Sequence, residues 1–253
     1  MLTGIGRYIV KGLRNPALLI VSLRRYVLLG GALKDDECKH LVSAWSSGKL
    51  PRVRMRDLFP GIDTCTAVSI RKPEARPIGW SLDLQELIHI ISVAKYTSAK
   101  RILEIGTFDG FTTLNLAANL EEEGEVFTLD LPLEEDARPE TVSNACDPSI
   151  VGSKFRGERE EKQIRQLWAD STNSDWSTFG APFDIIFIDG CHAYPYVKSD
   201  SVNALKHVRP GGIVFWHDYG QIPDVSRAVD ELARDYSIVA ITGTRLACFK
   251  SPT

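Results

Sequence analysis

Between Phe183 and Gly190 the chain reads FDIIFIDG, and from Ile185 to Ile188 it is apolar at every position rather than at every second one. A strand with one buried face alternates apolar and polar residues. A continuous apolar run calls for cover on both faces, as in a parallel sheet with helices on either side. The neighbouring sequence fits that demand. KRILEIG (100–106), EVFTLDLP (125–132), a stretch near Leu167 and IVFWHDYG (213–220) have the composition of short strands. SLDLQELIHIISVAKYTS places Leu84, Leu87, Ile88, Ile91 and Ala94 at helical spacing and predicts a helix ending near Thr97. TTLNLAANLEEEG, YVKSDSVNALKHV and SRAVDELARDY read as further helices, the second closed by an RPGG turn at 209–212, and SIVAITGTRLACFK as a terminal hairpin turning at 242–244. Strands alternating with helices predict an α/β fold with a doubly wound, mostly parallel sheet.

This pattern fills residues 81–253, and residues 1–80 read differently. Pro51, Pro60, Pro73 and Pro77 break any long helix between 35 and 80, which suggests a lid or connecting segment. From Met1 to Lys34 the charges are Arg7, Lys11, Arg14, Arg24, Arg25 and Lys34, with no acid before Asp35. Arg24 and Arg25 interrupt the apolar run short of the ~20 residues that a bilayer requires, and no small-x-small cleavage site follows it. Two readings of this amphipathic arm remain open. It packs on the body or on a second subunit of a homo-oligomer, the favoured reading, or it lies on an anionic membrane surface. The net charge of −3 gives no reason to expect nucleic acid as a partner. Five scattered cysteines without a C-x-x-C pair suit a reduced, cytoplasmic chain and argue against a zinc cage.

In doubly wound sheets ligands bind beyond the carboxyl ends of the strands. EIGTFDG stands at the first such end, where Gly106 and Gly110 permit a tight turn and close approach to a ligand, ahead of a helix N-terminus. Asp130, at the end of the next strand, is placed to take ribose hydroxyls. Glycine is also common in any strand-to-helix turn. GTFDG lacks the middle glycine of G-x-G-x-x-G, which disfavours a nicotinamide oxidoreductase.

Taken in order, LEIGTFDGFTTLNLA, TLDLP, ADS, FIDGCHAY and GGIVFWHDYG resemble the class I S-adenosylmethionine-dependent methyltransferases, most closely the bacterial branch that includes macrolide-sugar O-methyltransferases. The resemblance covers roughly residues 84–250. It implies a Rossmann-like, seven-stranded sheet and S-adenosylmethionine as cofactor. Gly106, Thr107, Phe108 and Gly110 would line its methionine and ribose parts, Glu104 would support the turn, and Thr112 would start the helix. Asp130 would take the ribose hydroxyls, Asp170 and Ser171 would flank the adenine, and Asp189 would close the cofactor's edge. Substrate choice would lie in residues 1–80, and the acceptor would be a small hydroxylated molecule such as a sugar unit or secondary metabolite.

Methyl transfer needs an aligned acceptor and a route for its proton, either a positioned base or a divalent cation. The resemblance implies neighbouring strands ending at Asp189 and at His217-Asp218. Asp189 and Asp218 could then share Mg2+ or Mn2+, with His217 as a third ligand and His192, three residues after Asp189, as the base. Metal-using relatives place an acid where His217 stands, and imidazole suits other metals than magnesium better. The plainer alternative makes Asp189 and Asp218 turn caps and His192 a loop histidine. Cys191 reads as a loop filler, Trp80 and Trp216 as acceptor-stacking or core residues, and Tyr194 and Tyr219 as pocket walls. A non-catalytic cofactor-binding protein or assembly subunit is the rival to an enzyme.

Overall fold

The computed structural model describes residues 48–65, 67–73, 82–132 and 149–253. The basic arm at 1–34, residues 35–47, 66 and 74–80 of the proline-rich segment, Trp80 among them, and residues 81 and 133–148 lie outside the described residues. The elements are β1 (Arg52–Val53), α1 (Met55–Leu58), α2 (Ile62–Cys65), α3 (Leu84–Tyr96), β2 (Arg101–Ile105), α4 (Phe111–Ala117), β3 (Glu125–Asp130), β4 (Ile164–Trp168), β5 (Phe183–Ile188), α5 (Tyr194–His207), β6 (Val208–Trp216), α6 (Pro223–Leu232), β7 (Ile238–Ile241) and β8 (Ala247–Lys250). They build a mixed sheet in the order β1-β7-β8-β6-β5-β2-β3-β4. Only β8 runs against its neighbours, β6 and β7, as the predicted terminal hairpin requires.

The FDIIFIDG run sits in the middle of this sheet, on β5, between β2 and β6. Ile185 and Phe187 pack with Leu87, Ile90 and Ile91 of α3 and Phe111 and Leu114 of α4. Ile186 and Ile188 face the other way, onto Val197 of α5 and Val225 and Val229 of α6. All four are 5% exposed or less. Each such side chain contributes about 1.5–3 kcal/mol relative to exposure, so a polar residue at any of them would cost one face of the core.

Two elements differ from expectation. RPGG is no turn: it lies within β6, where the register with β5 slips between Phe183↔Val208 and Ile185↔Ile213. Its glycines serve a bulge, with Gly211 at φ +73. The sheet gains an eighth strand, β1, two residues from the segment read as irregular, parallel to β7.

Residues 67–73 are held, without any sheet, on α4 and on the turn that continues it to Asn119. Asn119 accepts from Ser69 N (2.8 Å) and donates to Ser69 O (2.8 Å), and Asn115 does the same for Arg71 N (2.7 Å) and O (3.2 Å). Four residues along a helix rise about 6 Å and two along an extended chain about 6.6 Å, so the two spacings match.

The chain runs from β2 outward through β3 to β4, then returns to the other side of β2 as β5. A crevice opens at such a reversal, beyond the strand ends. The loops after β2 and β5 meet there: Asp189 N donates to Ile105 O (2.9 Å), and a Cβ on Gly106 would stand 2.2 Å from Asp189 O.

Candidate active site

One half of the crevice is the turn after β2. Gly106 (φ +96), Phe108 (φ +47) and Gly110 (φ +79) are all left-handed, and Gly110 precedes the first turn of α4. Asp130, on the neighbouring strand, holds this turn through one carboxylate oxygen, which accepts from Thr107 N (3.1 Å) and Phe108 N (3.0 Å). Its other oxygen accepts from Leu131 N (2.8 Å). Beneath the turn runs a buried chain of hydroxyls: Gln166 donates to Thr107 Oγ1 (3.0 Å), which lies 2.8 Å from Thr128 Oγ1, and Thr128 and Thr113 both donate to Glu104. Burial, with the charges of Asp189 and Asp130 adding to it, outweighs these hydroxyl donors and pushes the Glu104 carboxyl up to about 8. Glu104 is therefore a neutral acid near pH 7. Thr112 is half-buried in the first turn of α4.

Asp170 stands beyond β4, just past Trp168, the register partner of Asp130. Its carboxylate is folded back on its own loop, accepting from Thr172 N (2.9 Å), Thr172 Oγ1 (2.7 Å) and Asn173 Nδ2 (2.7 Å). Ser171 O accepts from Trp176 Nε1 (2.9 Å).

The other half of the crevice is ionic. β5 and β6 are parallel neighbours, with Ile188 opposite Trp216, so Asp189 and the His217-Asp218 pair emerge side by side. His217 is 4% exposed. Its Nδ1 lies 2.9 Å from Asp189 Oδ1 and its Nε2 3.1 Å from Glu86 Oε2. Two carboxylates on two ring nitrogens demand the imidazolium form. Burial opposes that charge, but Asp189, Asp218 and Glu86 win and raise the His217 pKa well above its usual value. Both ring nitrogens of His217 thus face carboxylates, and the donor atoms that lie close enough together to share a cation are those of Asp189, His192 and Asp218.

His192 takes the third place. Its Nε2 lies 3.2 Å from Asp218 Oδ2 and 3.7 Å from Asp189 Oδ1. One atom each of Asp189, His192 and Asp218 fall within 4.8 Å of one another, the spacing of a cation's ligands. Burial works against a charged His192, yet hydrogen bonding and attraction to the two aspartates push its pKa up to about 9. Asp218 itself is in the left-handed region (φ +55), and Arg245, buried in the β7–β8 turn, donates to its Oδ1 (2.8 Å). Asp189 and Asp218 both stay ionised: burial disfavours their charge, but His217 and His192, joined by Arg245 at Asp218, outweigh it and lower both pKa values.

Glu86 and Arg245 went unnoticed in the sequence. Glu86 is the N3 residue of a capping box on α3, with Asp83 as N-cap. Its Oε1 accepts from Arg245 N (2.7 Å) and Nε (3.0 Å), and its Oε2 from Arg245 Nη2 (2.6 Å). It is fully buried. The one signal was its place four residues before Ile90, on the apolar face of α3. Tyr219 is 1% exposed and binds Asp230 (2.6 Å), while Tyr194 donates to Glu231 (2.5 Å) under the Arg227 guanidinium. Trp216 is a core residue that donates to Ser201 Oγ (2.8 Å). Cys191 is a free, partly exposed thiol.

Residues 103–219 match a family described as a methyltransferase domain. That stretch is just under half of the chain, and it runs from β2 through β6 with both strand-end loops of the crevice, so the region that builds the crevice is similar to a methyltransferase domain. A protein of Mycolicibacterium vanbaalenii provisionally named an O-methyltransferase is 25% identical over 150 residues, 59% of each chain, so less than two thirds of that relative is spanned. Among solved structures, the O-methyltransferase of Bacillus cereus in complex with SAH is 19% identical, with 69% of this chain and 84% of that one covered and a TM-score of 0.51. TomG of Streptomyces achromogenes, an O-methyltransferase involved in tomaymycin synthesis and bound to SAM, is 20% identical, with 69% and 82% covered and a TM-score of 0.50. Cofactor-bound Rv0187 from MTB is 16% identical, with 92% and 97% covered and a TM-score of 0.51. At these identities the structures establish the fold.

Proposed function

We propose that this chain is an S-adenosylmethionine-dependent O-methyltransferase acting on a hydroxyl of a small molecule. The observation that carries the proposal is the convergence of Asp189, His192 and Asp218 at adjoining strand ends, against the turn that follows β2. The nucleoside would lie along that turn, with its ribose near Asp130, its adenine near Asp170 and Ser171, and its methionine part toward Glu104, Thr107 and Phe108. The acceptor would enter from the side of Asp218, where residues 1–80 would add the walls that select it.

The donor set of two carboxylates and one imidazole fits a divalent cation, with manganese better suited than magnesium to the nitrogen. Arg245 occupies Oδ1 of Asp218 and leaves Oδ2 to His192, whereas at Asp189 the same Oδ1 meets His217 and lies 3.7 Å from His192. A cation bound there would supply Lewis acidity to an acceptor hydroxyl. Asp189 and Asp218 would hold the acceptor's oxygen in place and draw its proton toward their charge. The two roles of His192 Nε2 exclude each other: as the cation's nitrogen donor it would be no base, and as the base it would leave the cation to the two aspartates, whose engagement would relieve the attraction that raises its pKa to about 9.

Calorimetry with S-adenosylmethionine and S-adenosylhomocysteine, with and without Mn2+ or Mg2+, tests this reading. Micromolar binding of both nucleosides is expected, followed by transfer of labelled methyl to hydroxylated acceptors. Absence of nucleoside binding ends the proposal, and binding without transfer across a broad acceptor panel leaves a cofactor-binding protein instead. Homo-oligomer formation and membrane-surface contact through residues 1–34 stay proposals, tested by solution mass and liposome sedimentation of a truncated chain. Among the described residues no helix is long and apolar enough to cross a membrane.

A further inference from the structure

Phe108 is the odd residue of the turn after β2. Its φ of +47 lies in the left-handed region, which is strained for an L-residue and persists only where the surroundings enforce it. Asp130 holds its N-H from the sheet side. The opposite side is held by a segment distant in sequence. Gly152 N donates to Phe108 O (2.8 Å) and Lys154 N to Asp109 O (2.9 Å). Lys154 Nζ forms an ion pair with Asp109 Oδ2 at 2.7 Å, with side chains 11% and 4% exposed, and lies 5.0 Å from the centre of the Phe111 ring. Asp109 Oδ1 meanwhile accepts from Phe111 N (2.9 Å), capping α4. Phe155 occupies the space where a Cβ on Gly110 would fall, 2.5 Å away.

A buried ion pair is poor value as a stabiliser, because desolvating both charges roughly cancels their attraction. What it does supply is a fixed geometry. Here that geometry falls on Phe108 and Asp109, two of the three residues between the glycines of the turn. Asp130 and the Asp109–Lys154 pair grip the turn from opposite sides.

We infer that Asp109 and Lys154 are positioning residues for cofactor binding, clasping residues 149–155 onto the 106–110 turn and presetting its left-handed backbone for the nucleoside. This rests on the reading of that turn as the nucleoside's seat. It makes 149–155 a working part of the site, and by reciprocity an occupied turn must steady that segment.

The test uses S-adenosylhomocysteine and the full chain. Lys154→Met keeps the packing on Phe111 and removes the charge; Asp109→Asn keeps the cap on Phe111 N. Each should weaken nucleoside binding at least tenfold at 15 °C in protein whose circular dichroism is unchanged, whereas Lys154→Arg should stay within threefold. In the unaltered chain, saturating nucleoside should slow amide exchange across 149–155. A folded Lys154→Met chain that binds within twofold of the original, with only its melting temperature lowered, overturns the clasp, as does unchanged exchange at 149–155. Should Lys154→Met not fold, the double variant Asp109→Asn, Lys154→Met leaves no orphaned charge and is read the same way. No binding to the unaltered chain removes the functional reading itself, while binding retained by the variants removes the clasp alone.

Discussion

The two sides of the crevice are built by opposite means. On the side of the turn after β2, positive φ angles, backbone N-H groups and a run of neutral hydroxyls shape the turn itself, with charge only at its flanks in Asp130 and the Asp109–Lys154 pair, and burial favours the protonated form of Glu104. On the side of β6, Glu86, Asp189 and Asp218 face His217, His192 and Arg245, and the positioning is ionic. The difference follows from the task proposed for each side. The adenosine part of the cofactor passes through the transfer unchanged, only the sulfonium losing its methyl, and it needs shape, which backbone geometry supplies. A hydroxyl that must lose a proton needs charge, and charges buried that deeply need counter-charges to stay ionised.

Substitutions that exchange these means should separate the two sides. Asp189→Asn removes a charge but little volume. Methyl transfer should fall roughly 10³-fold, equivalent to about 4 kcal/mol, while nucleoside affinity stays within about threefold by calorimetry. An equal loss in both would merge the two sides into one. Glu86→Ala strands Arg245 and His217 beside each other, and breaking a buried pair costs about 3–5 kcal/mol; the urea midpoint should drop accordingly. Glu86→Gln, which keeps the shape, should recover part of the stability but little of the transfer rate. A full recovery of rate would show that the acid's charge is irrelevant.

Glu104→Gln sharpens the contrast from the neutral side. The folded chain holds this carboxyl near 8 against an ordinary value of 4.5. Its contribution to stability is therefore whole below about pH 4.5 and is lost as pH rises through 8. The glutamine, which still accepts from Thr113 and Thr128, should lack that decline and be more stable at pH 9 by on the order of 2 kcal/mol. A parent and variant with parallel stability curves between pH 5 and 9 would refute a neutral Glu104. The smallest effect is expected at Asn119→Ala, about 1 kcal/mol in thermal stability for its hydrogen bonds to Ser69, with no change on either side of the crevice.

The sequence made one side far more legible than the other. Glycines at 106 and 110 and Asp130 mark a turn and its holder within one strand-helix-strand unit, and the structure joins them as neighbours. Asp189, His192 and Asp218 were visible because each follows an apolar strand. The pairing of His217 with Glu86 could not be read because the two lie 131 residues apart, and Arg245 lies 159 residues from the same acid; spacing carries no trace of such pairs. The alternating strands and helices were readable for the same reason as the turn, since each depends on local periodicity. Val208–Trp216 was cut short because proline and glycines signal a turn as readily as a bulge, and Arg52–Val53 was missed because two residues have no period at all.

The pairing of Ser69 and Arg71 with Asn119 and Asn115 works like a zip fastener with two teeth, one pitch cut on a helix and the other on an extended strand. Such a fastener counts residues. Deleting Ile70 would leave one asparagine without its partner whichever tooth engaged first, so the length of chain between the sheet's edge and α4 is metered, and an insertion tolerated in an ordinary surface loop would here displace everything downstream by a full notch.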